Sequence, residues 1–230
     1  MTEMGNRLLS KLPEEELEAL LPHLSRVELS HGSVLIAPYE PLRYVYFPIS
    51  MLGSLVTIME DGSMIESGTV GREGMVGVPV LLDAAETTMQ TLTQIPGEAW
   101  RVKSEVIKKL FDEGGAFHLF FHRYMHILFI VASQSAACNR LHKIDARLCR
   151  WLLMSSDGVA SNELNITQEY LAAMLGVRRA GVTEAALKLQ AAGLISYTRG
   201  HISILEREQL EDASCECYRR VKEEYDRLLG

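Results

Sequence analysis

Hydrophobic and polar positions follow two different periods along the chain, and the change between them marks its main division. From Val27 to about Val102 the apolar residues come in short β-rich runs, such as Tyr44-Val45-Tyr46-Phe47 and the run from Ser54 to Ile58. Turn residues separate these runs, among them Asp61-Gly62 and Pro96-Gly97. Short strands at this spacing predict a small antiparallel roll or barrel.

A short helix is predicted ahead of the roll, within residues 7 to 24. Pro13 suits the first position of a helix, and the three glutamates that follow it favour the positive end of the helix dipole. Its apolar stripe consists of Leu17, Leu20, Leu21 and Leu24.

A long helix is predicted after the roll, beginning near Ala116. Apolar and small residues recur along it at alternating spacings of four and three, at Phe117, Phe121, Tyr124, Leu128, Val131, Ser135 and Cys138. This heptad seam favours a coiled coil. Alone on the surface the helix would expose too much aromatic area, so it packs on the roll, on a twin helix, or both. We favour a homodimer with these residues as its interface.

The next segments continue the helical period. Residues 141 to 154 predict a further helix. A polar turn is predicted after it, at Ser155-Ser156-Asp157-Gly158 and Ser161-Asn162. Residues 206 to 229 predict a closing helix at the end of the chain.

Residues 166 to 205 predict a winged helix-turn-helix. Thr167 can cap a first helix, and Gly176 stands where the chain must turn sharply. A second helix follows from Arg178, and Gly193 ends it. Two β-rich runs joined by Arg199-Gly200 then predict a hairpin, the wing. The second helix of such a unit enters the major groove of DNA. The alternative is an ordinary helical hairpin with a small sheet, which the small residues at the crossing and the wing disfavour.

These patterns predict an α+β protein in three parts. Residues 1–115 form an antiparallel β-roll, 116–140 a dimerisation helix, and 141–230 a winged helix-turn-helix domain.

Charge supports the DNA-reading interpretation in one region only. The chain of 230 residues has a formal net charge of −7, which excludes a general polyanion binder. From Gly176 to Leu205, four basic residues oppose only Glu184. A basic face on an acidic protein suits a defined DNA site.

Composition indicates a cytoplasmic protein without a membrane segment. The longest apolar run, from Ile127 to Ala132, is far too short to span a bilayer. The four cysteines lie in the second half of the chain and contain no Cys-x-x-Cys motif. A secreted disulfide framework is therefore not expected.

The order of roll, long helix and winged helix resembles the Crp–Fnr family of bacterial transcription regulators, over nearly the whole chain. The stretches that carry the resemblance in the roll are Leu24 to Gly32, Tyr44 to Phe47, Asp61-Gly62 and Gly74-Met75-Val76-Gly77. The resemblance implies that the roll is an effector-like domain similar to cyclic-nucleotide-binding domains. It also implies a homodimeric regulator that binds double-stranded DNA, and RNA polymerase is a further candidate partner.

The second helix of the DNA-reading unit resembles the recognition helix of that family, with two differences. Arg179 matches the family's base-reading arginine, whereas Ala180 stands in place of an acid and Glu184 in place of an arginine. The operator is therefore expected to differ from the common cyclic-AMP-receptor site. The predicted DNA-binding residues are Thr167, Gln168, Arg178, Arg179, Thr183, Glu184, Lys188, Arg199 and His201.

The positions that correspond to the family's effector pocket are Gly77, Val78, Thr87 and Thr88. Relatives that bind cyclic nucleotides follow the glycine with a ribose-binding glutamate and later place an arginine against the phosphate. Here Val78 replaces the glutamate, and residues 86–90 contain no cation. A phosphate buried without a positive partner is not compensated for its lost hydration, so a cyclic nucleotide is not expected.

The sequence does not favour a metal, haem or catalytic site. His118, His122 and His126 stand one helical turn apart, which makes a metal- or haem-responsive regulator an alternative, but no cysteine or carboxylate joins the row. Cys215 and Cys217 could oxidise or bind a metal with Cys138 or Cys149; the preferred interpretation is that Cys217 packs as a small hydrophobe and Cys215 has no role.

The thiolates near the N-terminus that an iron–sulfur sensor of this family needs are absent. We therefore predict no cofactor and no metal site, and a ligand-independent regulator remains an alternative. Catalysis is not expected either, because the roll offers His31 and scattered acids on turns but no converging set of ligands.

Overall fold

The computed structural model describes residues 4–230, and the elements below are numbered in chain order. The strands are β1 Ser25–Leu29, β2 Val34–Ile36, β3 Tyr44–Pro48, β4 Leu52–Ile58, β5 Met64–Val70, β6 Gln90–Ile95, β7 Gly97–Lys103, β8 Glu163–Asn165, β9 Ile195–Thr198 and β10 His201–Ile204. The helices are α1 Arg7–Ser10, α2 Glu14–Leu20, α3 Ser104–Asp112, α4 Gly115–Leu141, α5 Ile144–Val159, α6 Gln168–Leu175, α7 Arg179–Ala191, α8 Arg207–Ala213 and α9 Glu216–Leu229.

Residues 25 to 103 form the roll that the sequence predicts. One sheet has the strand order β1-β7-β3 and the other β2-β6-β4-β5, and every pairing is antiparallel. Ahead of the roll, α2 begins at Glu14 with Pro13 as its cap residue, close to the predicted start. The predicted fold class, an α+β chain with a roll, a long helix and a C-terminal helix-turn-helix, is confirmed.

The predicted dimer seam on α4 is wrong, because it faces the protein's own core. Six of its residues are at most 5 % exposed, and Leu128 is half-buried: Phe117, Phe121, Tyr124, Leu128, Val131, Ser135 and Cys138. Phe121 packs edge-on against Phe47 of β3, and the Tyr124 hydroxyl donates to the Met75 carbonyl at 3.2 Å. The large aromatic side chains bury the most apolar area against the roll, so this seam is used within the protomer.

A second heptad stripe on α4 remains exposed, and we call it the open face. Its residues follow the same alternation of three and four as the buried seam: Leu119, His122, His126, Phe129, Ser133, Ala136 and Arg140. Phe129 is 71 % exposed and Leu119 is 51 % exposed. Large exposed apolar side chains in one row are typical of a contact surface.

By length and composition α4 is also the one helix among the described residues that could cross a membrane. Its aromatic seam lies in the core between the roll and α9, which is the position of a core helix.

The helix α5 extends further than the sequence indicates. The predicted polar turn is wrong over 155–158, where α5 continues to Val159; its second part, Ser161 and Asn162, lies outside the helix, ahead of β8. Ser155, Ser156 and Gly158 are buried. The roll explains the burial: the backbone of Gly71 contacts Gly158, and the Arg72 amide donates to the Gly158 carbonyl at 2.8 Å. A side chain at Gly158 would separate the two units.

The last helix of the chain packs on both sides: Tyr218 lies in the core of the DNA-reading unit, but the rest of the buried face packs on α4 and the roll. The predicted single helix over 206–229 is divided into α8 and α9 at Ser214. Val221, Tyr225 and Leu229 of α9 join the core of the roll and α4. The boundary predicted at residue 141 therefore separates α9 from helices with which it packs.

A partly buried, hydrogen-bonded carboxylate connects the roll to α5. Glu66 of β5 accepts from the Ser54 hydroxyl at 2.6 Å and from the Trp151 indole at 3.0 Å. Burial raises the pKa of the Glu66 carboxyl above its usual value, against the opposing effect of these hydrogen bonds and of Arg150. A carboxyl with a raised pKa in the folded state takes up protons on folding.

Replacing Glu66 with glutamine is expected to weaken the pH dependence of stability. In the native protein, the contribution of Glu66 to folding stability is complete below the unfolded-state pKa of its carboxyl. It is lost as the pH rises through the higher folded-state pKa. The free energy of unfolding of Glu66→Gln relative to the native protein should therefore be higher at pH 8 than at pH 5. Urea titrations at both pH values measure this difference. Glu28→Gln, on an exposed part of the roll, is the matched control. A native-like pH dependence in Glu66→Gln contradicts the prediction.

Candidate nucleic-acid interface

The first helix of the DNA-reading unit begins and ends where the sequence predicts. The Thr167 hydroxyl accepts from the Tyr170 amide at 3.3 Å and caps α6. Gly176 ends the helix with a φ of 61°, in the left-handed region that favours glycine. The Val177 amide then donates to the Ala172 carbonyl at 2.9 Å, which closes the turn.

The second helix crosses close to its neighbours and leaves one face open. Its inner face carries the small or branched residues Val182, Ala185, Ala186 and Leu189, all of which are buried. Gly181 lets α7 approach α5, since a Cβ there would lie 3.0 Å from Ile144. The outer face exposes Arg179, Ala180, Glu184, Leu187 and Lys188.

The wing is a two-residue hairpin between β9 and β10. Arg199 and Gly200 have φ values of 46° and 86°. Positive φ at both central residues defines a type I′ turn, whose twist matches the flanking strands. A third strand, β8, pairs with β10, and this short strand has no signal in the sequence. The Ile166 amide donates to the Gly200 carbonyl at 2.7 Å and ties the wing to the start of α6.

These three elements enclose a hollow of about 520 Å³ on the outer side of the domain. Four predicted DNA-binding residues line it together, namely Thr167, Gln168, Arg179 and Arg199. Glu169, Leu187, Gln190 and Tyr197 also line it, and none of them is among the DNA-binding residues predicted from the sequence. Gln190 accepts from the Tyr197 amide at 3.0 Å and so connects α7 to the wing. Polar residues on the outer face of a recognition helix are the signal that would have found Gln190.

Gln168 and Thr183 act as a pair. The Thr183 hydroxyl lies 2.7 Å from the Gln168 amide oxygen and 3.0 Å from the Arg179 carbonyl. The bond orients the Gln168 side chain at the start of α6, so that its amide nitrogen is the group left for an acceptor outside the protein.

The net positive charge predicted for this region is partly neutralised in the structure. Lys188 lies 2.9 Å from Glu184 and 3.3 Å from Asp145 of α5, which the sequence count did not include. Two acids therefore surround the amine. The exposed cations outside these ion pairs are Arg178, Arg179 and Arg199; none of them forms an ion pair within residues 4–230.

His201 of the wing is also engaged by other residues. Its ring nitrogens lie 2.8 Å from Asn165 and 2.6 Å from Glu163. The Ser203 hydroxyl donates to the same carboxylate at 2.7 Å, and this bond, with that of His201, lowers the pKa of Glu163. His201 therefore stabilises the three-stranded wing, and both of its ring nitrogens already have partners within the protein.

The effector-pocket positions lie at one end of the roll. Gly77 has a φ of 108° and precedes the 3-10 turn Val78–Leu82, and Val78 packs against the core of the roll. Thr87 lies in the next loop, where its carbonyl accepts from the Tyr39 amide at 2.8 Å. A hydrophobic Val78 offers nothing to a ribose hydroxyl.

The histidine row on α4 does not converge on a shared point. The His118 ring nitrogen lies 2.8 Å from the Phe111 carbonyl, and that of His122 lies 3.0 Å from the His118 carbonyl. The two rings stack near Phe111. The structure instead brings Cys138, His142, Cys215 and Cys217 together, a group in which the sequence analysis did not place His142.

Comparison with known families identifies the DNA-reading unit. Residues 146–213 match the model of the Crp-like helix-turn-helix domain. A search of curated proteins found no match for this chain.

Solved structures match over most of the chain. FixK2 from Bradyrhizobium japonicum has a TM-score of 0.70 at 14% identity, over 84% of this chain and 98% of its own. The c-di-GMP responsive global regulator CLP of Xanthomonas campestris has a TM-score of 0.65 at 19% identity, over 84% and 99%. A CRP/FNR-family transcriptional regulator from Thermus thermophilus has a TM-score of 0.64 at 19% identity, over 83% and 98%.

These matches confirm the resemblance to the Crp–Fnr family. The chain has the fold of Crp/Fnr-type regulators and carries a helix-turn-helix DNA-binding domain of the Crp-like kind.

Proposed function

We propose that this protein, a Crp/Fnr-type fold with a Crp-like helix-turn-helix domain, is a sequence-specific transcription regulator that binds DNA as a homodimer. The observation that carries the proposal is the hollow between α6, α7 and the wing. It places Arg179 of the recognition helix beside Arg199 of the wing, with both side chains exposed.

Arg179 is proposed to read a base. It stands in the first turn of α7, where side chains of a recognition helix reach base edges. A guanidinium donates two parallel hydrogen bonds to the O6 and N7 atoms of guanine. Arg178 is the residue before the helix, so we assign its charge to a phosphate.

The remaining contacts are proposed to hold the backbone. Arg199 at the wing tip reaches a phosphate, as do the Thr167 hydroxyl and the Gln168 amide nitrogen at the start of α6. Lys188 and Glu184 are proposed to contribute less, because each is neutralised by its ion pair. These contacts fix the register in which Arg179 meets the bases.

The homodimer is proposed to form through the open face of α4. Two such faces would pack the apolar side chains of Leu119 and Phe129 against the partner helix, and the small residues Ser133 and Ala136 allow a close approach. Paired recognition helices then meet half-sites one helical turn apart.

The effector domain is proposed to act without a cyclic nucleotide. Val78 and the uncharged residues 87–90 leave the family's ribose and phosphate contacts without counterparts. RNA polymerase as partner and the cytoplasm as location belong to this proposal as well.

Selection from a randomised duplex library tests the proposed function directly. The full-length protein is expected to enrich a two-fold symmetric site whose half-sites lie one helical turn apart. The variant Arg179→Ala, selected in parallel, should enrich a site with one position per half-site relaxed. Recovery of unrelated sequences by the native protein would show that it does not read DNA.

Replacing Arg199 with alanine is expected to weaken binding to all sequences about equally. The loss of one phosphate contact per subunit should lower the slope of log affinity against log salt by about one per subunit. Titrations of a preferred and a scrambled duplex at two salt concentrations measure this. Arg199→Gly is the matched comparison, because it removes the charge and keeps the positive φ of the turn. A salt slope unchanged in both variants contradicts the phosphate contact.

A further inference from the structure

Four potential metal ligands meet at the hinge between α4 and α5. Cys138 and His142 are one helical turn apart at the end of α4, and Cys215 and Cys217 stand at the start of α9. One ligand atom from each lies within 4.8 Å of all the others. Cys138 and Cys215 are separated by 77 positions in the sequence and come together only through the packing of α9 on α4.

The spacing of these atoms fits one tetrahedral ion. With zinc–sulfur bonds of about 2.3 Å and zinc–nitrogen bonds of about 2.0 Å, sulfurs lie about 3.8 Å apart and sulfur lies about 3.5 Å from nitrogen. The Cys138 and Cys215 sulfurs are 3.5 Å apart, and the Cys217 sulfur is 3.5 Å from Nδ1 of His142. A [4Fe–4S] cluster needs its cysteine sulfurs farther apart, because each of them binds a different iron.

Polar groups around the four residues match the outer shell of a zinc site. Nε2 of His142 lies 3.2 Å from the Glu216 carboxylate, which leaves Nδ1 directed at the cysteines. Metal-binding histidines commonly donate their other ring N–H to a carboxylate in this way. The Gln134 amide also donates to the Cys217 sulfur at 3.1 Å, as donors to metal-bound thiolates do.

A buried arginine beside these residues favours negative charge at this place. Arg147, which donates to Asn139 next to Cys138, is 6 % exposed, whereas Arg150, 7 % exposed, also acts on the Glu66 carboxylate. The Arg147 guanidinium donates to neutral oxygens, those of Asn139 and of the Leu175 carbonyl. Within residues 4–230 no carboxylate pairs with it. Three thiolates and one Zn²⁺ carry a net charge of −1, which compensates buried positive charge.

We propose that Cys138, His142, Cys215 and Cys217 bind one Zn²⁺ ion in a structural site that joins the start of α9 to the hinge between α4 and α5. All four ligands come from the protein, so the ion has no open position and is structural rather than catalytic. Each thiol releases its proton to solvent as its sulfur binds the ion.

The site lies where the DNA-reading domain is attached to α4. His142 and Lys143 are the extended residues between the two helices, and Arg147 of α5 connects the hinge to the last turn of α6. Cys215 follows just after α8, whose Leu210 lies in the core of the DNA-reading domain. An ion bound to Cys215 and to the end of α4 therefore ties that domain to α4 and fixes the orientation of the recognition helix. The metal site is independent of the proposed function, and only its effect on operator affinity rests on it.

Elemental analysis of the full-length protein tests the site. After reduction, incubation with equimolar zinc and desalting, we expect one zinc per protomer. Cys215→Ser and Cys217→Ser should each lower the zinc content at least tenfold. Cys149→Ser, which replaces another fully buried cysteine outside the group, should keep one zinc per protomer. Reconstitution with cobalt should give the visible absorption of a tetrahedral thiolate complex in the native protein and in Cys149→Ser alone.

Several outcomes overturn the site. Native protein without zinc after reconstitution excludes it, whatever the variants do, so a misfolded variant does not protect the proposal. Iron with acid-labile sulfide in its place, or a Cys138–Cys215 disulfide that persists under reduction, also excludes it. Circular dichroism of each variant shows whether a loss of zinc accompanies a native fold.

Titration of the operator DNA tests separately whether the bound zinc affects DNA affinity. Removal of zinc by a chelator is expected to reduce operator affinity at least tenfold, with recovery when zinc is returned. If zinc binds as expected but the affinity does not change, the site stands and its control of the hinge is wrong. If no operator exists, the metal analysis is unaffected.

Discussion

Replacing Phe129 with glutamate is expected to convert the protein into a monomer and to weaken operator binding by a factor of about 10²–10⁴, the usual gain from linking two binding modules. The residue is 71 % exposed at the middle of the open face of α4, so the change introduces charge without disturbing the protomer. Two carboxylates that face each other across a helix pair repel, and their burial in the interface costs free energy of desolvation.

Light scattering at several protein concentrations measures the mass, and titration of a two-half-site duplex measures the affinity. Leu82→Glu is the matched control, because Leu82 is 63 % exposed on the roll, away from α4. It should remain dimeric with native affinity. A dimer in Phe129→Glu at all concentrations would show that another surface forms the interface. Substitutions in the buried seam, such as Val131→Glu, are expected to unfold the protomer and cannot make this distinction.

Replacing Arg179 with alanine is expected to remove discrimination at one base pair of each half-site, worth about 1–3 kcal/mol per half-site. The side chain lies in the hollow between α7 and the wing, free of ion pairs in the described residues. Loss of its forked hydrogen bonds to guanine should affect the preferred site most and a site altered at that position least.

Titrations of both duplexes at two salt concentrations measure the effect. Lys188→Ala is the matched comparison on the same helix: Glu184 and Asp145 already neutralise the amine, so its effect on base preference should be small. Arg219→Ala, on the exposed surface of α9, controls for the removal of any arginine. If Arg179→Ala weakens every duplex by the same factor, Arg179 contacts phosphate and another residue reads the base.

Local signals were sufficient for the elements of the DNA-reading unit. The Thr167 cap, the left-handed glycine at 176 and the two-residue turn at Arg199-Gly200 each depend on a few neighbouring residues. The roll was predictable for the same reason, because turn residues and short β-rich runs alternate along 25–103.

The open face and the buried seam of α4 could not be told apart from local sequence. Both follow the same alternation of three and four, so the period alone cannot tell which one faces the roll. The choice depends on the apolar surface that the roll and α9 present, and on the larger area of Phe117, Phe121 and Tyr124.

The turn predicted at 155–158 was wrong for a related reason. Serine, aspartate and glycine favour a turn, but close contact between Gly71 and Gly158 keeps the segment helical. Similarly, the ion pair between Asp145 and Lys188 exists only because α5 packs on α7.

The sequence alone determined the class of the protein: an antiparallel roll, a long helix and a winged helix-turn-helix with exposed arginines, because each depends on the conformational preferences of neighbouring residues. Only the tertiary structure decided which charges of α7 are neutralised, that His201 serves the wing, and that Cys138, His142, Cys215 and Cys217 meet. Those contacts join residues far apart in the chain, and their formation depends on how whole elements bury their apolar faces, which no local pattern specifies.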